Sequence, residues 1–405
     1  MPYDNVLAAD ARPRFFLVRH PERFGFDGPP PRRGVASRTY ARSLDGMQKE
    51  VLVVPATAGW GWRLSSDEGP SLEGYEEAPV PLAFFTAGLV ASYTEVLVGL
   101  AKRRGVVLDG LCLTLDNYYE RQGSALRGTM VGRALDPTLH VELETPPSAE
   151  QMRDLCADMV EISPMTGLLR GHNLSVFTLT HNGRPIEVGQ RRKLQPAARP
   201  HDDGGFAAIP VDGPPEARSL VERVGRVASE SGAGAGEDGG AGLRAERPRH
   251  TLDIKGICTL RDDGAKVIDV YNAHRDSTVF RFLSDELAAG CDGQRRAPDA
   301  ATLVSAGIAF CFMTQLARYI RITRKRVDRC SVIQDLRLPS KPDTWASGQC
   351  DAAAAVEARV DVQAPESEEY VRTLLQMAEQ TCYLHAACRS DLRTTVTWSS
   401  IAGSP

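Results

Sequence analysis

The sequence predicts an α+β fold, antiparallel sheet packed on a pair of helices and built twice along one chain. Three observations carry that prediction. Residues 251–273, TLDIKGICTLRDDGAKVIDVYNA, alternate β-branched and polar positions on either side of Asp262-Asp263-Gly264, the pattern of a hairpin. Farther on, Asp299 opens the run AATLVSAGIAFCFMTQLARYIRI, whose apolar residues recur at spacings of three and four and describe a buried helix. The first half then repeats these phrases. Trp62-Arg63-Leu64-Ser65-Ser66-Asp67-Glu68 answers Phe280-Arg281-Phe282-Leu283-Ser284-Asp285-Glu286, and Ala78-Pro79 answers Ala297-Pro298. Ser92 to Ser163 and Cys311 to Cys382 both span 71 residues. Matching phrases at matching offsets make a tandem duplication of one domain the expected organisation.

Each element follows in order. In the first half, residues 81–105 (PLAFFTAGLVASYTEVLVGLAKRRG) form the central helix, followed by strands near Leu108–Tyr119 and Thr129–Leu143. A helix over Ser148–Val160 precedes Ser163-Pro164, and Leu174–Leu179 is the closing strand. Residues 226–249 are rich in Gly, Ala and Glu and lack periodicity. Such a stretch buries too little apolar surface to offset its ordering entropy, so a flexible linker is expected. Just before it, Glu216–Val227 has the spacing of one short amphipathic helix. In the second half the central helix starts at Pro298 and Asp299, and strands follow over Val332–Leu338 and Ala355–Val362. Ser367–Ala378 is a helix leading into Cys382, and Leu392–Trp398 closes the unit. The expected division is a first repeat over 1–195, a linker with a short helix over 196–245, and a second repeat over 246–405.

Composition narrows the function. The 48 Lys and Arg nearly balance 52 Asp and Glu, a formal net charge of −4, so no positive field points to nucleic acid or an anionic membrane. No stretch approaches the roughly 18 apolar residues expected of a membrane span. The N-terminus lacks the basic start and apolar run of a secretory signal, and a soluble, cytoplasmic protein is expected. Nine cysteines, an odd number, argue against a disulfide framework. There is no CxxC pair and no Cys/His spacing of a zinc site, so neither metal nor cofactor is expected. Residues Leu17-Val18-Arg19-His20-Pro21 look like the Leu-Val-Arg-His-Gly signature of histidine phosphatases. Pro21 replaces the Gly, however, and the antiparallel pattern downstream does not supply the parallel strand that chemistry needs.

The element order, the helix around Ala306-Gly307-Ile308-Ala309-Phe310-Cys311-Phe312 and a second Cys after a later helix resemble the OsmC/Ohr family of thiol-dependent peroxidases. The resemblance covers both halves and is strongest in each central helix. It implies that Cys311 is peroxidatic and Cys382 resolving, with Cys382-Tyr383-Leu384-His385 standing where the family has Cys-Pro-x-His or Ser. In the first half Ser92 and Ser163 occupy these positions, and Ser163-Pro164 keeps the proline that Tyr383 replaces. The family's Glu ahead of the central helix would fall at Ala301, or at Leu82 in the first half. Its activating Arg would be Arg281, which recurs as Arg63, with Arg261 and Arg275 as alternatives and Arg318 a further candidate along the helix.

The implied chemistry is specific. Only a thiolate attacks a peroxide, and a second thiol condenses the resulting sulfenic acid to a disulfide, which requires the two Cα atoms within about 7 Å. Cys388 is an alternative resolving thiol. The resemblance further implies an intramolecular pseudo-dimer whose pocket is lined by Phe310, Phe312, Gln315, His385, Ser92 and Ser163. That pocket would take a small hydrophobic substrate such as an organic hydroperoxide, with a dithiol as reductant. A competing expectation is that the fold has been reused, as a tailoring enzyme in small-molecule biosynthesis or as a ligand-binding module.

Overall fold

The computed structural model describes residues 3–31, 35–57, 59–125, 127–145, 147–170, 175–189, 203–211, 220–227, 250–273, 276–286, 296–338 and 356–401. The fold is mixed α and β. The first part of the chain gives α1 (Val6–Ala9), β1 (Phe15–Arg19), β2 (Val35–Ser43), β3 (Lys49–Pro55), β4 (Trp60–Ser66) and the long α2 (Pro81–Arg104). Then come β5 (Cys112–Gln122), β6 (Val131–Ala134), β7 (Thr138–Leu143), α3 (Ala149–Ile162), α4 (Thr166–Leu169), β8 (Val176–His181), β9 (Arg184–Ile186) and α5 (Asp203–Ala208). The remainder gives β10 (Val221–Val227), β11 (His250–Leu260), β12 (Lys266–Asn272), β13 (Ser277–Ser284) and α6 (Ala300–Thr323). It ends with β14 (Arg329–Leu338), β15 (Glu357–Gln363), α7 (Glu368–Thr381), α8 (Tyr383–Arg389) and β16 (Thr395–Ser400).

These strands form two sheets, and each draws on both parts of the chain. One runs β1-β4-β3-β2-β14-β15-β8-β9, the other β10-β13-β12-β11-β5-β7-β16, with β6 beside β5. The seams match. β14 joins β2 antiparallel from Ser331↔Arg42 to Leu338↔Val35, and β5 joins β11 antiparallel from Cys112↔Thr259 to Arg121↔His250. At the far side β15 and β8 run parallel, as do β16 and β7. Detail matches too: the Ser66 and Ser284 hydroxyls each donate over 2.9 Å to the carbonyl of a proline ahead of a central helix, Pro79 and Pro298.

Helices α2 and α6 lie against each other between the sheets. Each contributes a glycine at the crossing, four residues before Ser92 and Cys311 respectively. A Cβ on Gly88 would stand 2.6 Å from Val304 Cγ2 and 2.7 Å from the Ala300 carbonyl, and one on Gly307 2.9 Å from the Phe85 nitrogen. Nothing larger than hydrogen fits there. Local chemistry sets the helix ends. Asp299 caps α6, Ser148 and Gln151 form a reciprocal capping box on α3, and Ser367 caps α7.

Three expectations need correction. The segment expected as a helix over 216–227 forms, in its described residues, strand β10 on the edge of the second sheet against β13. The open edge of β13 offers backbone partners that a short, weakly apolar helix cannot match. The single strand expected over Thr129–Leu143 is two, β6 and β7, interrupted at Asp136-Pro137 because proline has no N–H for the ladder. Both α2 and α6 are long and apolar enough to cross a membrane by length and composition, against the expectation that no stretch approaches this. Their charges cluster at the C-terminal ends, which leaves an apolar window of spanning length, and most of that window is buried inside the fold. The linker expected over 226–249 lies almost wholly outside the described residues.

The two outer sheet faces differ. On the first sheet Phe16, Val18, Phe26, Tyr40, Leu52 and Val54 form a second core with Phe206 and Ile209, from α5 and the residue just after it. Phe206 lies under the guanidinium groups of Arg42 and Arg63, and its carbonyl accepts a 2.7 Å bond from Arg63 Nη1. The phosphatase-like segment is β1, antiparallel to β4, and His20 is an exposed residue bonded to Glu22.

Candidate functional site

Cys311 sits in the middle of α6, 2% exposed, and Cys382 at the junction where α7 ends and α8 begins. The fold brings them together. The Cys382 thiol hydrogen-bonds with Cys311, and the Leu384 N–H donates to the Cys311 sulfur. Burial, chiefly, pushes the Cys311 thiol well above its usual pKa; Cys382 and the Glu68 carboxylate push it the same way, and the Leu384 bond opposes them. None of these dominant influences is a cation. Cys388, inside α8, is also buried, its pKa pushed up to about 12, chiefly by burial. Tyr119 of β5 is buried nearby, its pKa also well raised; its ring lies 5.5 Å from that of Tyr383, and its hydroxyl has no hydrogen-bond partner among the described residues.

In the first half the same places hold hydroxyls. Ser92 lies mid-helix in α2, Ser163 lies between α3 and α4, and their Oγ atoms are 3.0 Å apart.

A cavity of about 380 Å³ opens beside Cys311. Cys311, Thr314, Gln315 and Arg318 line it from one face of α6, at the three- and four-residue spacing that puts them in a row. Opposite lie the loop after β4 and the start of α2, with Leu252, Ile254, Val270 and Phe280 as the apolar floor from the second sheet. Tyr383 and Arg121 close one end. Glu68, from the loop, accepts from Thr314 Oγ1 at 2.5 Å and from Lys49 Nζ at 3.3 Å, a nearly buried ion pair in the cavity wall.

Glu68 is the residue the sequence reading missed. Asp67-Glu68 reads as a turn element because the pair recurs as Asp285-Glu286. Asp67 does organise its loop, accepting the N–H groups of Glu68, Tyr75 and Glu77. Glu286 accepts the Ala300 N–H at the start of α6, a capping role. Glu68 faces the cavity instead, a carboxylate supplied from the other half of the chain. The signal was present in the conjunction of Lys49 on β3 with Lys266 on β12. Lys266 is buried in the matching place, paired with Glu95 at 2.8 Å.

Arg281 is not at Cys311, which corrects the expectation that it is the activating cation. It lies on the outer face of β13, half exposed, in a bidentate pair with Asp269 at 2.7 Å. Alternation along β13 turns Phe280 and Phe282 inward and Arg281 out. Arg261 is exposed and paired with Asp263, and Arg275 lies outside the described residues. Arg318 does line the cavity, where its Nη1 donates to Gln315 Oε1 at 3.1 Å. Of the expected pocket residues, Gln315 lines the cavity and the rest do not. Phe310 lies in the core with its ring tilted against that of Phe84, centroids 4.9 Å apart, and Phe312 packs between Phe177 and His385. His385 is fully buried and bonded through Nδ1 to the Ser175 hydroxyl at 2.5 Å; burial lowers its pKa to about 3, so it is neutral. Ser92 and Ser163 stand in the other half. Among the described residues no group of three or more His, Cys, Asp or Glu could hold a metal ion.

No protein-family model matches the chain, and no curated protein matches it. Among solved structures the chain is similar to an OsmC-like hydroperoxide resistance protein from Jannaschia sp. CCS1. The identity is 20%, 38% of this chain covers 99% of that one, and the TM-score is 0.25.

Proposed function

We propose that Cys311 and Cys382 are a redox dithiol that reduces an organic hydroperoxide admitted through the cavity, in a chain whose two duplicated halves act as the two subunits of an intramolecular dimer. One observation carries this reading: Cys311 opens on the cavity on one side and meets the Cys382 thiol on the other. Cys311 gives up its proton, its sulfur attacks the peroxide, and the O–O bond breaks to leave a sulfenic acid and the alcohol, which takes the proton. The Cys382 thiol then displaces water to form the disulfide, and an external dithiol returns both cysteines to thiols. The duplicated reading is supported by the matched strand orders and seams of the two sheets. A reducing, cytoplasmic setting would supply the dithiol.

A second reading is favoured by the state of Cys311. A thiol raised by burial, without a dominant cation beside it, is a slow nucleophile, and such a cavity suits a tailoring enzyme or a ligand-binding protein as well. The deciding experiment follows turnover of cumene hydroperoxide with a dithiol reductant, alongside the mass of the Cys311 and Cys382 peptides. We expect a peroxide-dependent disulfide between them and loss of turnover in Cys311→Ser. Full turnover by Cys311→Ser would sink the redox reading.

A further inference from the structure

The ionisable groups that line the cavity are unevenly satisfied. Glu68 is neutralised by Lys49, and Glu76 by Arg226 at 2.9 Å with a further bond from Thr278 at 3.0 Å. Asp276 also lines the cavity and is exposed. Arg318 is tied to Gln315. Arg121 differs from all of these: it is half-buried, lines the cavity, and has neither an ion pair nor a side-chain hydrogen bond among the described residues. Its place is fixed by the sheet. β5 sets Arg121 opposite Gly132 of β6, and Gly132 abuts the Tyr383 ring, the residue following Cys382. This guanidinium therefore stands at the end of the cavity walled by Tyr383, with the apolar floor of Leu252, Ile254, Val270 and Phe280 beside it.

We propose that the cavity binds an amphipathic monocarboxylate, its acid group held by Arg121 and its apolar body laid along the β11–β13 floor. A planar guanidinium matches a carboxylate in a two-point fork. A half-buried cation without a counterion gains most from an anionic ligand, because part of its desolvation is already incurred. Among the described residues Arg121 is the one lining cation without a partner, which suits a singly charged head, whereas a phosphate dianion would call for further free donors. The volume of about 380 Å³ lies within the range of small-molecule sites, roughly 300–1,000 Å³.

This deepens the hydroperoxide reading by naming the head group of what enters, but it does not depend on the redox step. Titration calorimetry of the full-length reduced protein with decanoate and with decanol tests it. Decanoate should bind more tightly than decanol, and Arg121→Gln should weaken decanoate by about ten-fold or more, the usual size of a charge-assisted bond. Arg121→Lys should recover part of that loss, which a merely disturbed strand would not. Equal affinity for the two ligands, no decanoate binding, or an unchanged affinity in Arg121→Gln would each overturn the proposal. Cys311→Ser separates the two readings: it ends turnover if the redox reading holds, and it still binds decanoate.

Discussion

Ser92 with Ser163, and Cys311 with Cys382, hold matching positions in the two parts of the fold. Both pairs join the middle of a central helix to the end of a later one, both close over 71 residues of chain, and in both the side chains touch. What differs is the surroundings. Beside Cys311 lies a cavity walled by the Glu68–Lys49 pair, whereas in the first half Lys266 is paired with Glu95 on α2 itself. The position of Glu95, three residues after Ser92, is that of Thr314 after Cys311. Moving the acid from the helix to the opposing loop leaves Thr314 small at that wall. On the proposed redox reading, chemistry at this fold position would need two things together, a thiol pair and room beside it.

The comparison can be broken by transplanting one without the other. Ser92→Cys with Ser163→Cys, made in a Cys311→Ser and Cys382→Ser background, supplies a thiol pair at the first-half position but not the Cys311 cavity. Mild oxidation should join the new cysteines, visible as a mass loss of two hydrogens, while hydroperoxide turnover stays at background. Turnover near the wild-type rate would mean that the cavity is irrelevant to the reaction.

The largest stability difference is expected at Arg63, which stands where Arg281 stands in the second half. Arg63 is 1% exposed, bonded to Glu50 at 2.6 Å and covered by Phe206. Arg63→Met leaves Glu50 buried beside a single remaining cation, Arg42, and should cost about 3–5 kcal/mol in urea unfolding.

His385 marks a smaller asymmetry, since the matching first-half residue is Thr166. Its folded pKa, lowered to about 3 by burial, lies below the unfolded value near 6.5. The unfolded chain therefore binds the proton first. The stability held by neutral His385 is complete above about pH 6.5 and is lost as pH falls toward 3. Unfolding midpoints measured from pH 7 to pH 4 should fall steeply, and His385→Gln should flatten that slope while lowering the plateau. A slope unchanged by the substitution would place the acid sensitivity elsewhere.

Much of this was legible in the sequence. Hairpins, helix spans and caps are local events, and the spacing of apolar residues with Asp299, Ser148 and Ser367 at the helix starts places them well. The meeting of Cys311 with Cys382 was implied by the family resemblance rather than by any local pattern. The rest depended on how distant strands pair. Glu68 reaches the cavity beside Cys311 because α6 of one half packs under the loop of the other, which no local period encodes. β10 is a strand because β13 had an edge to fill, and the side of the sheet on which an arginine lands follows from register.

Arg281 is the mildest test and the most direct on that last point. Arg63 and Arg281 occupy the same step before matching Ser-Asp-Glu phrases, and both lie on an outer face, but among the described residues only the first sheet has a helix, α5, folded across it. Arg281 pairs with Asp269 in water, its side chain nearly half exposed, where an ion pair contributes under about 1 kcal/mol and salt screens it. Arg281→Met should therefore shift the unfolding midpoint only slightly and leave hydroperoxide turnover at the wild-type rate. A drop in turnover of ten-fold or more would return Arg281 to the thiol site and require the outer face of β13 to turn inward during the reaction.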